Sequence, residues 1–376
     1  MKVAVTLLVF CVAALLALGM VMLYSSSMTQ VGAHYLVMQL IWCGLGILSC
    51  VIATSVDYAL LRKFAWPLLA IAVVLLGLVL IPQVGLKING ARRWLGYGGF
   101  RIQPSELAKL AAIVITAWYC ERYQRQMRDW KRGILLPGLI LTPVLLLIFI
   151  EPDRGTTILL AGVLSVMLLI AGIRWEYFAV PFVLGGTAIG VSLWHDPMRM
   201  KRIFAWLYLE ENKSGVGYQA YQSMLALGSG GLFGLGLGNG RQKLGFVPEH
   251  HTDFIFSIIG EELGLVATMA VVVTFVVIIL CGIYIAMRAR DNFGTMLGCG
   301  ITFLIGFQAF INIGVVTSAL PNKGLPLPFI SYGGSNLLMM LTCIGVLLSI
   351  ARHARETVAK PDAVFSPDNP FSPRTA

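Results

Sequence analysis

About ten stretches of this chain are apolar for roughly the 20 residues that a helix needs to cross a bilayer. They fall near 3–23, 35–56, 64–82, 104–120, 133–150, 156–173, 177–194, 255–286, 294–317 and 336–351. Runs repeated at this density leave little sequence with which to coat a water-soluble globule. Composition agrees, since 57% of the 376 residues are hydrophobic and 12% are charged, too few charges for a soluble domain of that size. The expected fold is an all-α polytopic membrane protein of about ten transmembrane helices. A long loop, 195–254, separates the seventh helix from the eighth. Lys2 ahead of an apolar run imitates a secretory signal. The run is too long for a signal core and "ALGMVMLYSSS" is a weak cleavage context, so it reads as a retained first span. Residues 1–355 form one membrane domain, and 356–376 read as a disordered tail. Cys11, Cys43, Cys50, Cys120, Cys281, Cys299 and Cys343 all lie within apolar spans. Their spacing is not that of a metal site, and they read as small packing residues.

An even number of spans places both termini on one side. The basic connector "ERYQRQMRDWKRG" assigns that side to the cytoplasm. The outer face should then be poor in cations, yet the short loop 83–103 carries Lys87, Arg92, Arg93 and Arg101. The long loop carries Arg199, Lys201, Arg202, Lys213, Arg241 and Lys243, and the last outer loop carries Lys323. Cations held where topology disfavours them point to an anionic ligand or to lipid headgroups, and charge alone leaves both open. Without an interleaved aromatic and basic motif, the charge does not imply a nucleic-acid partner.

Three outer segments are rich in backbone-shaping residues. In "INGARRWLGYGGFRIQPSELAKL", Asn89-Gly90 and Gly98-Gly99 mark turns, and Pro104-Ser105-Glu106 opens a helix. Glu106 and Lys109 share a face of that helix; charges at membrane depth mark function, or an ion pair that orders the helix end, and the two are compatible. "GYQAYQSMLALGSGGLFGLGLGNGRQKLGF" begins as a short amphipathic helix and becomes a glycine-rich turn before Arg241 and Lys243. Such a turn can cradle phosphate, although a flexible linker is the simpler reading. "TSALPNKGLPLPFISYGGSN" has too many prolines and glycines for a straight transmembrane helix and reads as a re-entrant loop over a cavity. "EPDRGT" adds Glu151 and Asp153 at another outer junction. Gln308 and Asn312 make a polar stripe that ordinary interhelical hydrogen bonding explains. Finally, "PEHHTDFIF" gathers Glu249, His250, His251 and Asp253 at the mouth of a helix. Taken alone, Asp253 reads first as a helix cap. The functional alternative is a base whose ionised form the helix N-terminus favours.

Four of these motifs in order, "NGARRWLGYGGFRIQPSELAKL", "EPDRGTT", "GLGLGNGRQKLGFVPEHHTDFIFSIIGEELG" and "LPNKGLPLPFISYGGSNLL", resemble the SEDS family of bacterial cell-wall proteins over about 1–355. "RQKLGF" and "IIGEELG" are more similar to its division-type branch, FtsW and SpoVE, than to RodA. The resemblance implies a ten-helix inner-membrane protein with both termini cytoplasmic, placed at the division septum. It implies a peptidoglycan glycosyltransferase that polymerises lipid II into glycan strands with a class B penicillin-binding protein, among other divisome proteins and membrane lipids. It also implies that Asp253 is the catalytic residue, that Arg101, Glu106 and Lys109 matter for activity, and that Lys323 is the lysine of the last outer loop. The chain departs from the family pattern at Arg154, Gly245 and His250.

The residues suit that chemistry. Glycosyl transfer needs a base for the acceptor hydroxyl and cations for the departing diphosphate. Asp253 is the candidate base, with His251 orienting it or the substrate. Arg101, Lys109, Arg241, Lys243 and Lys323 are candidate diphosphate ligands, with Glu106 beside them. His251 and Asp253 could lend ligands to a divalent cation, but two residues do not define a metal site. A lipid II flippase is the main rival, an elongation role like that of RodA a variant, and a non-catalytic scaffold a third reading. The crowding of polar residues on one face argues against a transporter, whose binding groups belong near the midplane.

Overall fold

The computed structural model describes residues 1–27, 32, 34–88, 90–97, 100–195, 197–244 and 252–359. The chain is a helical bundle built from α1 (Lys2–Ser27), α2 (His34–Ser55), the short α3 (Ala59–Lys63), α4 (Ala65–Leu80), α5 (Pro104–Arg122), α6 (Leu136–Ile150), α7 (Arg154–Ile170), α8 (Ala179–Trp194), α9 (Pro197–Leu207), α10 (Tyr218–Ser229), α11 (Ile255–Met287), α12 (Asn292–Val316) and α13 (Gly334–Ala359). Every one of the ten apolar stretches is a helix. Among the described residues, six helical segments are long and apolar enough to cross a membrane unaided: Lys2–Ser26, His34–Ser55, Lys131–Ile150, Ile255–Met287, Asn292–Val316 and Gly334–Ala354. Helices α4, α7 and α8 are shorter, and α5 carries Glu106 and Lys109 in its first turns.

Helix α5 explains how a chain can afford charges at this depth. It is buried along almost its whole length, packed by α4, α6, α7, α12 and α13, so its polar side chains meet protein and not lipid. Around it the helices touch through small residues, as expected where lipid offers no hydrophobic gain from association. Gly345 lets α13 approach the backbone of α2 at Cys50, and Ser49 and Thr342 hydrogen-bond across the same seam at 2.6 Å. The outward face of α11 shows the opposite pattern: Leu265, Met269, Val273, Val276 and Leu280 form an exposed apolar stripe that suits a lipid-facing surface.

Two expectations are corrected here. The loop 83–103 is not plain loop within an all-α chain. Its residues make a small antiparallel sheet, β1 (Leu86–Ile88), β2 (Ala91–Tyr97) and β3 (Phe100–Ile102), in the order β1-β2-β3. Gly90, at φ 81°, supplies the left-handed residue of the first turn; Asn89 and Gly98-Gly99 lie outside the described residues. Among its described residues the long connection 195–254 holds two α-helices, of which α10 matches the expected short helix and α9 is additional. Residues 317–333 are helix-free as expected, and the loop dips into the bundle. Its Ile330 backbone rests on Gly19, where a Cβ would approach to 2.8 Å. Gly19 lies roughly 10 Å below the last turn of α1 at 1.5 Å per residue. Beyond α13, residues 360–376 of the expected tail lie outside the described residues. The cysteines are unpaired and sit in the helices, as their positions suggested.

Candidate functional site

The end of the bundle that carries residues 317–333 gathers most of the candidate residues. Asp253 stands two residues ahead of α11, where the helix N-terminus favours an ionised carboxylate. The N-cap position falls on Phe254, whose side chain makes no cap hydrogen bond, one residue after the position the sequence suggests. The Asp253 carboxylate lies against the re-entrant loop: a Cβ on Gly324 would stand 2.7 Å from its Oδ2. Gly324 is exposed and Asp253 only partly buried, so this contact faces outward. The neighbouring Lys323 is half-buried, and burial lowers its pKa.

A buried polar ladder runs from this point into the protein. Asn312 on α12 donates through Nδ2 to the carbonyls of Asp253 (2.8 Å) and Leu325 (2.7 Å). One turn away, Gln308 donates to Pro326 O at 2.9 Å and accepts from Lys109 Nζ at 3.0 Å. Lys109 pairs with Glu106 at 2.8 Å, and Glu106 accepts from Asn336 of α13 at 3.0 Å. Glu106 and Lys109 are 5% and 1% exposed. Their charges are therefore satisfied within the protein, and they touch the loop through Gln308.

The glycine-rich turn is neither a linker nor an open phosphate cradle. It wraps a break in α11 at Gly264, whose φ of 78° and ψ of −173° leave the helix. Leu235 and Gly236 donate their N–H groups to the carbonyls of Glu261 and Glu262, as Leu265 and Val266 do to Gly231 and Leu232. Gly234, at φ 80°, lies so close to the Glu262 carbonyl that a side chain has no room. The N–H groups that an anion would take are occupied by the chain's own carboxylates. Glu261 accepts from the backbone of Arg241 (2.7 Å) and Gln242, and Glu262 from Gly238 N at 3.1 Å. Lys243 reaches inward to Glu262 at 2.6 Å, to Ser25 Oγ at 3.0 Å and to Gly238 O at 2.8 Å. Thus Lys243, expected at the diphosphate, is 2% exposed and committed to an internal pair, whereas the Arg241 side chain is exposed.

The hairpin supplies the third wall. Arg93 on β2 donates to the carbonyls of Glu151 (3.1 Å) and Pro152 (2.6 Å), tying the sheet to the α6–α7 turn. Asp153 caps α7 at Thr156 N and accepts from Gln103 at 3.2 Å. The buried Glu151 carboxyl has no hydrogen-bond partner; burial, with Asp153 adding and Arg93 opposing, pushes its pKa up to about 8. Arg101 on β3 is exposed. It acts electrostatically on Tyr332, whose pKa is raised by burial and by Tyr35 and lowered by Arg101. His250, His251 and Glu249 lie outside the described residues. Only Asp253 of the His251–Asp253 pair is therefore placed, and among the described residues no three His, Cys, Asp or Glu side chains gather to hold a metal.

The structure thus brings Asp253, Lys323 and the Glu106–Lys109 pair into one network and sets Lys243 in another. Sequence reasoning missed Glu261, Glu262, Ser25 and Asn336 as partners. The acid pair in "IIGEELG" carried the signal, since two carboxylates inside an apolar run demand partners.

Comparison with known proteins adds an independent line. Residues 5–356 match the sequence profile of the FtsW/RodA/SpoVE family, described as cell cycle proteins. A probable peptidoglycan glycosyltransferase FtsW of Trichlorobacter lovleyi is 41% identical over 355 residues, covering 92% of this chain and 92% of that protein. Stage V sporulation protein E of Bacillus subtilis is 40% identical over 357 residues, covering 93% of this chain and 97% of that one. Among solved structures, a chain of a peptidoglycan synthase complex, studied for its coordination of polymerization and crosslinking, superposes with a TM-score of 0.79 at 29% identity. It covers 92% of this chain and 97% of its own. The rod shape determining protein RodA of Thermus thermophilus gives 0.70 at 29% identity, over 92% and 96%.

Proposed function

The chain belongs to the FtsW/RodA/SpoVE family of cell cycle proteins, and we propose that it is a peptidoglycan glycosyltransferase that polymerises lipid II on the outer face of the bacterial inner membrane. The observation that carries the site assignment is the Asp253 carboxylate, set at a helix N-terminus against Gly324 and beside Lys323. Asp253 takes the proton of the acceptor hydroxyl as that oxygen bonds to the anomeric carbon of the donor sugar. The bond from that carbon to the diphosphate breaks with inversion, and the lipid diphosphate leaves with the electron pair. Arg101, Lys323 and Arg241 are the cations available to stabilise it. Glu106, Lys109 and Lys243 act from inside the protein by holding the segments that present these groups. His251 precedes Asp253 by two residues and is assigned to orienting it or the substrate.

The chain makes ten crossings with both termini cytoplasmic, and residues 1–355 form one membrane domain. It works with a class B penicillin-binding protein at the division septum. The likeness to a peptidoglycan synthase complex and the FtsW names of its relatives support this. The decisive experiment uses the purified chain with its class B partner and lipid II, assayed for glycan strands and separately for lipid flipping. Asp253→Asn should melt normally and polymerise roughly 10²–10⁴-fold more slowly, because an amide takes no proton. Substantial polymerisation by a well-folded variant would sink the assignment.

A further inference from the structure

Gln308 and Asn312 are four residues apart on α12 and almost wholly buried. A buried polar pair in a membrane bundle ordinarily serves to join helices. These two do something narrower. A carboxamide nitrogen has two hydrogens, and Asn312 spends both on carbonyls of separate segments, Asp253 just ahead of α11 and Leu325 in the re-entrant loop. Gln308 takes the next carbonyl of the loop, Pro326, and returns its own oxygen to Lys109. Two consecutive peptides of the loop are therefore fastened to one face of α12, and the Asp253 peptide to the same face.

Gly324 lies immediately before the fastened peptides, and the Asp253 carboxylate rests against the space that a Cβ there would fill. Holding Asp253 O and Leu325 O at 2.8 and 2.7 Å from one nitrogen fixes how far the carboxylate stands from Gly324 and from Lys323. The other end of the amide underlines this. Asn312 Oδ1 is buried without a hydrogen-bond partner, an arrangement that costs stability and needs a reason. A residue kept only to join helices would use both ends.

We infer that Asn312, braced through Gln308 by the Glu106–Lys109 pair, is the positioning residue that sets the Asp253 carboxylate against the Lys323 loop. The inference rests on Asp253 being the base. It predicts a loss in turnover through misplacement of that base, since displacement of a reacting group by about 1 Å can cost 10²-fold.

The test is Asn312→Leu in the full chain with its class B partner, a change that keeps the branched heavy-atom shape and removes both donors. Turnover per folded molecule should fall roughly 10–100-fold, while KM for lipid II stays within about twofold. Combined with Asp253→Asn, it should add little further loss, because the two act through one group. Parental turnover in the folded fraction, with only a lower melting temperature, would overturn the inference and leave Asn312 a helix joint. So would a raised KM at unchanged turnover, or a loss that multiplies with that of Asp253→Asn. Activity in Asp253→Asn alone would instead remove the base assignment, a result distinguishable from these. If Asn312→Leu does not fold, Asn312→Ser, too short to reach both carbonyls, carries the same measurements.

Discussion

The buried pair of Lys243 and Glu262 offers a direct test of what the glycine-rich turn is for. The ion pair is 2.6 Å long and its members are 2% and 0% exposed. Lys243→Met removes the ammonium and leaves Glu262 with Ser25 Oγ and Gly238 N but without a counter-charge. Breaking a buried pair on one side costs about 3–5 kcal/mol, most of it the burden of the stranded charge. Glu262→Gln should cost a similar amount, since it strands the Lys243 ammonium. The double variant removes both charges, and its glutamine can still accept from Gly238 N. It should return to within about 1–2 kcal/mol of the parent, because replacing both members of a buried pair is often nearly neutral. Melting of the purified chain, with polymerisation from lipid II measured on the folded fraction, reads both consequences. Recovery of stability and activity together in the double variant is expected. A double variant that melts like the parent yet cannot polymerise would refute the structural assignment and return Lys243 to the diphosphate.

Two further outcomes follow from single contacts. Gly324 has no left-handed backbone to excuse it, so Gly324→Ala should fold normally, yet its methyl would press on Asp253 Oδ2. Polymerisation should drop roughly 10–100-fold, and parental activity would show that the carboxylate need not rest there. Glu151 titrates at about 8 in the fold, well above the usual carboxylate range near 4.3. Its proton therefore stabilises the fold fully at low pH, and that contribution is lost as pH rises through about 8. Glu151→Gln should abolish the dependence, so the parent should lose melting temperature relative to the variant between about pH 5 and pH 9; parallel profiles would refute it.

The helices were legible because apolar runs of the required length have few other fates. The re-entrant loop was legible for the converse reason, since prolines at 321, 326 and 328 cannot sit inside a straight span. The sheet at 86–102 was not, because its strands are only three to seven residues long and sit among turn-forming glycines. Partnering was the least legible feature. Glu106 and Lys109 are three residues apart, and their ion pair could be read from helical spacing. Lys243 and Glu262 are nineteen residues apart, one before the start of α11 and one within it, and Ser25 lies 237 residues from Glu262, so no local rule joins them. A positive charge on a polar loop looks the same in sequence whether it faces a substrate or turns inward to a carboxylate.

That ambiguity bears on the chemistry. Of the candidate diphosphate ligands, Lys109 and Lys243 are spent on Glu106 and Glu262; Arg93, a cation of the same outer face but outside that group, is spent on the carbonyls of the α6–α7 turn. Those left, the exposed Arg101 and Arg241 and the half-buried Lys323, come from three separate segments: the sheet, the glycine-rich turn and the re-entrant loop. Each of these segments is anchored by one of the spent cations, Arg101 through the sheet that Arg93 ties down, Arg241 through the turn that Lys243 fastens, and Lys323 through the loop that Lys109 reaches by way of Gln308. A buried cation in this bundle therefore does its work at one remove, by fixing where a more accessible one stands. Desolvation already lowers the pKa of Lys323, so an incoming diphosphate would favour its charged form, and the gain is greatest where the lysine is held and not free to retreat into solvent.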